Sequence, residues 1–192
     1  MIGIIYLASG FARRFGSNKL FYPIEGKEMY RFGLDILMDL CREKISGQEI
    51  KLHVVTQYAE IMEECRRRKV AYTQNTMAEE GIAASVRLGV LAFPDADWFL
   101  FLPADQPGIT KETMISFIKA VLSQPKTMAS VYCENKPGNP TMFHSSYRQA
   151  LLSLKGDKGG RKIMKASPEN VFWYPISFEE IVDIDQPAEI IK

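Results

Sequence analysis

The sequence holds little of what builds redox, zinc or disulfide chemistry. Its three cysteines, Cys41, Cys65 and Cys133, are odd in number and far apart, and none belongs to a C-x-x-C pair. That spacing argues against a disulfide framework or a zinc site, and each reads as a small core residue. Two histidines are too few for a metal cluster. His53 sits inside an alternating strand as a structural residue, while His144 follows Gly138-Asn139-Pro140 closely enough to line a cleft. There is no G-x-S-x-G elbow and no Cys–His spacing that suggests a nucleophile. A net charge of +1 lacks the bulk basicity of a nucleic-acid binder, and no run of eighteen apolar residues offers a membrane span. A soluble, cytoplasmic protein is expected, with neither nucleic acid nor membrane as partner.

Repeats, low-complexity tracts and Pro/Gly-rich linkers are also missing. The 192 residues, 46 % of them hydrophobic, suit one domain over 1–192 with a sizeable core. Apolar runs predict strands at 2–6, 51–56, 70–73, 98–102, 128–133, 171–175 and 180–187. Helical spacing predicts helices at 27–44, 58–68, 79–91, 111–122 and 161–165, the fourth N-capped by Thr110. The run Arg66-Arg67-Arg68-Lys69 decorates a helix end, where the dipole favours cations. Residues 134–140 read as a loop. This alternation implies α/β architecture with a mainly parallel sheet, whose ligands collect at the carboxyl ends of strands.

What is present is a loop. Leu7-Ala8-Ser9-Gly10-Phe11-Ala12-Arg13-Arg14-Phe15-Gly16-Ser17-Asn18-Lys19 follows the buried run Ile2–Tyr6. Gly10 and Gly16 admit backbone N–H groups to an anion, and Arg13 or Arg14 with Lys19 supplies opposing charge, so the segment reads as a phosphate cradle. A solvated βα turn is the plainer alternative. The P-loop does not fit, since five residues separate the glycines and Lys19 comes three after Gly16; the G-x-G-x-x-G fingerprint does not fit either.

Asp105, in Pro103-Ala104-Asp105-Gln106-Pro107, stands at the carboxyl end of the most apolar strand, facing the cradle. Such a carboxylate suits Mg²⁺, which takes few protein ligands beside substrate phosphates; an Asx turn is the alternative. Gly81, Ser85 and Gly89 fall four apart and are expected on one helix face, open to a ligand or to packing.

The opening loop resembles L-A-A-G-x-S-x-R-M-G-x-x-K of the molybdenum cofactor cytidylyltransferase-like family. It matches at Leu7, Ala8, Gly10, Arg14, Gly16 and Lys19, and departs at Ser9, Ala12 and Phe15. Further segments are similar to the family's in the family's order: Asn75 to Gly89, the cytidylyl-type Asp105-Gln106-Pro107, Gly138-Asn139-Pro140 with Asn for His, Gly156-Asp157 to Arg161, and Asp183-Ile184-Asp185-Gln186-Pro187.

The resemblance implies a three-layer α/β/α fold with a Rossmann-like nucleotidyltransferase sheet. It implies a Mg²⁺-dependent enzyme that transfers CMP from CTP to the phosphate of a molybdopterin-type acceptor, releases pyrophosphate and serves a molybdenum hydroxylase. Lys19, Arg14 and Asp105 are then catalytic; Leu7, Ala8, Ser9, Gly10, Gly16, Asn75, Gly81 and Ser85 bind nucleotide; Asp105 and Asp185 hold metal; Asn139, Asp157 and Arg161 bind acceptor. The alternatives are a guanylyl or sugar- or polyol-phosphate transferase, and a non-catalytic nucleotide-binding partner in cofactor delivery.

Overall fold

The computed structural model describes residues 1–10 and 18–184. Arg14, Gly16 and Asp185 therefore lie outside the described residues. The strands are β1 (Ile2–Ala8), the hairpin β2 (Pro23–Ile24) and β3 (Lys27–Glu28), β4 (Ile50–Thr56), β5 (Ala71–Gln74), β6 (Trp98–Pro103), β7 (Met128–Cys133), β8 (Lys136–His144) and β9 (Val171–Pro175). The helices are α1 (Met29–Leu40), α2 (Ala59–Arg68), α3 (Ile82–Leu91), α4 (Lys111–Leu122), α5 (Arg148–Leu152), α6 (Arg161–Ala166) and α7 (Phe178–Ile181).

Seven strands form one sheet in the order β5-β4-β1-β6-β8-β7-β9. All described pairs are parallel except those of β8 with β6 and β7, so β8 runs against its neighbours. β1 shows why both faces are covered: Ile2, Ile4 and Tyr6 join a core with side chains of α1, α2 and α4, while Ile5 joins another with side chains of α3, α5 and α6. Alternation along one buried strand thus feeds two apolar layers, giving the expected three-layer fold. The helix α4 and the strands β7 and β9 have the expected bounds, and Thr110 caps α4 by accepting from the Thr113 amide at 3.2 Å.

Three expectations are corrected. Residues 136–140 of the expected loop 134–140 belong to a strand, β8: Glu134 and Asn135 take positive φ of 48° and 64°, turning β7 tightly into β8. A register shift near Ser130 and Tyr132 places Gly138, Asn139 and Pro140 in a bulge, which redirects side chains as bulges do. Over its described part, 180–184, the strand expected at 180–187 is not formed: α7 takes its start, since Ser177 followed by Glu179 and Glu180 is a helix-starting pattern, and residues 182–184 are irregular. Finally, α3 begins at Ile82, so Gly81 is its N-cap, off the helix face that holds Ser85 and Gly89.

Candidate functional site

β1 and β6 are neighbours, so their carboxyl ends open side by side. The Ala104 amide donates to the Leu7 carbonyl (3.0 Å), carrying the pairing past the end of β6 and delivering Asp105 beside the start of the glycine loop. Lys19 opens a short 3-10 turn capped by Asn18, whose side chain accepts from the Leu20 amide. Its Nζ lies 2.7 Å from Asp105 Oδ2, with the two side chains only 13 % and 23 % exposed. Asp105 Oδ1 is buried and has no hydrogen-bond partner among the described residues. The Asp105 charge is also felt at Tyr6, whose phenol is pushed well above its usual value by burial first and by this carboxylate second.

Two cavities meet here. The first, about 390 Å³, is lined by Ser9, Gly10, Lys19, Glu79, Ser85 and Asp105, among others. The second, about 670 Å³, is lined by Asn139, Thr141, Lys158, Arg161, Lys162 and Lys165, with Val86, Phe101 and Leu151 as apolar wall. Leu7, Ile82, Pro103, Asp105 and Asp157 border both, so the ion pair stands at the junction.

The remaining expected residues divide. Ser9 and Gly10 reach the first cavity, whereas Ala8 is buried in the sheet. Asn75 is 2 % exposed and stands behind the wall, where its Nδ2 donates to Ser85 Oγ (2.9 Å) and its Oδ1 accepts from the Met77 amide (2.9 Å). Gly81 has φ +91°, and a Cβ there would fall 2.4 Å from Asp157 Oδ1 and 2.6 Å from the Gly156 carbonyl carbon. Its bareness lets the 156–157 turn dock on α3, where the Ala83 amide donates to the Gly156 carbonyl (3.1 Å), and this docking brings Asp157 to the junction. Gly89 is a packing residue, since a Cβ would strike Ile5 at 2.2 Å. Asn139, on the bulge, and Arg161, whose guanidinium donates to the Pro137 carbonyl (2.6 Å), face the second cavity.

His144 is corrected. It pairs with Trp98 at the start of β6, the opposite end of the sheet from Asp105. His53 lies within β4 and bonds Thr73 Oγ1 at 2.8 Å; burial lowers its pKa. Cys41 and Cys65 have thiols pushed up to about 11 by burial, which makes them poor nucleophiles.

Sequence reasoning missed a row of donors. Thr56 Oγ1 donates to the Ala8 carbonyl (2.9 Å), Gln57 Nε2 to the Ser9 carbonyl (2.7 Å) and the Tyr58 hydroxyl to the Gly10 carbonyl (2.7 Å). The strand-end rule, applied to β4 as it was to β1 and β6, would have nominated them. It also missed Glu79 and the cations Lys158, Lys162 and Lys165, the last two three apart on α6.

Among the described residues no group of three or more His, Cys, Asp or Glu could hold a metal. Mg²⁺ does not need one, because it binds through one or two carboxylates with waters and phosphates. Asp105 fits that use: one oxygen is buried without a partner, and the other already holds a positive charge, the Lys19 ammonium.

A mainly parallel sheet with a glycine-bearing segment after β1, and a lysine–aspartate pair at the mouths of the adjacent strands β1 and β6, fit a nucleotidyltransferase architecture. The chain belongs to the MobA-like NTP transferase domain family, whose model matches residues 4–171. It is 26 % identical to the purine catabolism protein PucB of Bacillus subtilis over 98 % of this chain and 93 % of that protein. Its fold is similar to that of a nucleotidyl transferase from Methanothermobacter thermautotroptrophicus, with TM-score 0.78, 18 % identity, and 98 % and 94 % of the two chains covered. A CMP:2-keto-3-deoxy-manno-octonic acid synthetase complexed with CTP superposes with TM-score 0.74 at 13 % identity, covering 98 % and 95 %.

Proposed function

We propose that this chain transfers CMP from CTP to the phosphate of a molybdopterin-type acceptor and releases pyrophosphate. The observation that carries the reading is the Lys19–Asp105 pair at the junction of two cavities, with Asp105 Oδ1 buried and unpartnered. The first cavity takes the nucleotide against Ser9 and Gly10. The second takes the acceptor, because Lys158, Arg161, Lys162 and Lys165 beside an apolar wall suit a ring-bearing phosphate monoester.

In the reaction an acceptor phosphate oxygen bonds to the α-phosphorus as the bond from that phosphorus to the oxygen bridging the β-phosphate breaks. Pyrophosphate leaves with the electron pair. The acceptor is ionised at neutral pH and needs no general base, in keeping with two histidines set away from the junction. Positioning and charge neutralisation carry such transfers. Lys19 opposes charge at the α-phosphate, and Arg14, with the Gly16 backbone, steadies the triphosphate. Asp105, with Asp185 as the second carboxylate, would hold Mg²⁺, which when bound neutralises phosphate oxygens and orients them.

CTP is favoured by two features. The Asp105-Gln106-Pro107 segment is of the cytidylyl type, and Ser9 adds a side chain to the cavity wall, held by its Oγ donating to the Val55 carbonyl (3.1 Å). A solved protein of this fold holds CTP. The recipient of the product is a molybdenum hydroxylase, a setting that suits kinship with a purine catabolism protein. The proposal extends to one domain over 1–192 and to the cytoplasm; among the described residues no helix is long and apolar enough to cross a membrane.

The test is pyrophosphate release with CTP, GTP, ATP and UTP at matched concentrations, with Mg²⁺ and molybdopterin. CTP should exceed GTP at least tenfold in kcat/KM, which needs only about 1.4 kcal/mol of differential binding. GTP equal to CTP transfers the reading to a guanylyltransferase.

A further inference from the structure

Tyr58 follows β4 by two residues and makes no part of the ion pair or of either cavity's wall. Yet its hydroxyl reaches back to the segment that follows β1. It donates to the Gly10 carbonyl (2.7 Å). Gln57 Nε2 bridges the same hydroxyl (3.3 Å) and the Ser9 carbonyl (2.7 Å). The Tyr58 ring is braced edge-on against Phe21, at 5.6 Å between centroids, within the turn that carries Lys19.

This has a directional consequence. In a trans peptide the N–H points opposite to the preceding carbonyl. With the Ala8 carbonyl held by Thr56 and the Ser9 carbonyl by Gln57, the amides of Ser9 and Gly10 are turned away from β4. Ser9 and Gly10 both line the first cavity, so donors held in this way are available to a nucleotide.

We propose that Tyr58, assisted by Gln57, is a positioning residue for nucleotide binding: its hydroxyl holds the Gly10 carbonyl and, through Gln57, helps to fix the Ser9 carbonyl. The inference rests on the nucleotidyltransferase reading above. Tyr58→Phe keeps the ring against Phe21 and removes only the hydroxyl.

The experiment is calorimetric titration of CTP with Mg²⁺ into the parent and Tyr58→Phe, with thermal melting of each and kinetics with molybdopterin. Tyr58→Phe should weaken CTP binding five- to tenfold and raise the CTP KM to match. The acceptor KM and kcat should stay within twofold, and the melting temperature within about 2 °C. CTP affinity within twofold of the parent overturns the proposal. So does a loss that falls equally on both substrates and on melting, which marks a merely structural tyrosine. A parent that binds no nucleotide overturns the reading beneath it.

Discussion

Asp105→Asn tests the centre of the site at almost constant volume. The carboxylate has two oxygens in different surroundings: Oδ2 is 2.7 Å from Lys19 Nζ, and Oδ1 is buried without a partner. An asparagine that keeps its carbonyl oxygen toward Lys19 puts its NH₂ at the buried position of Oδ1. At an effective dielectric near 20 the Coulomb attraction lost is on the order of 5 kcal/mol. Desolvation has already offset most of it, so the net loss of stability is about 1–3 kcal/mol, or roughly 3–10 °C in melting temperature for a chain of this size. The effect on catalysis is larger, because a neutral amide no longer holds Mg²⁺ against phosphate; a loss of about 10³-fold in kcat, some 4 kcal/mol, is expected. Pyrophosphate release at saturating Mg²⁺ reads the second effect, melting reads the first, and Mn²⁺ titration followed by electron paramagnetic resonance reads the metal directly. Activity within a few-fold of the parent at saturating Mg²⁺ would refute the assignment of Asp105.

Lys19→Ala should lower kcat more than CTP affinity, because the ammonium acts on charge that grows in the transition state; in steady-state kinetics, an effect confined to KM would demote Lys19 to a binding residue. Gly81→Ala places a methyl group against Gly156 and Asp157 at φ +91°. A loss of about 2–4 kcal/mol in denaturant unfolding is expected from strain and clash together, and a variant as stable as its parent contradicts the close approach. Glu64 is held below its ordinary pKa of 4.5 by hydrogen bonding to Arg67 first and by the charges of Arg31 and Arg68. Its contribution is therefore present above pH 4.5 and lost as pH falls below it, so Glu64→Gln should melt lower at neutral pH and show a shallower decline between about pH 5 and 3.

Much of the fold could be read from local signals. The bounds of α4, β7 and β9 follow from a threonine cap and from short apolar, β-branched or aromatic runs with clear ends. Lys19 and Asp105, far apart in the chain, are brought to 2.7 Å because β1 and β6 pair directly and open at the same end of the sheet. What escaped depends on partners that no local pattern names. The Pro137-Gly138-Asn139-Pro140 stretch carries every mark of a loop, yet β7 pairs with Pro137 at one end of it and with Thr141 just beyond the other, the misfit being absorbed as a bulge. The apolar alternation at 180–184 suggests a strand, but no sheet edge receives it; the Gln106 amide takes the Ile181 carbonyl (2.9 Å) and the Asp105 carbonyl takes the Ile184 amide (3.1 Å). Ser9 was legible as part of the loop, while the donors that hold its carbonyl sit on another strand.

That clasp of residues 178–184 on the loop after β6 has a consequence for the order in which the chain is made. The strand that bears Asp105 emerges at mid-synthesis, but the contacts that seat its loop, from Gln106 to Ile181, from Thr110 to Glu180 and from Asp105 to Ile184, are supplied only when the last of these partners leaves the ribosome. A nascent chain halted before residue 178 already holds Lys19 and Asp105 but not the fastening around them. Final seating of the loop after β6 is thereby deferred until translation has passed residue 184.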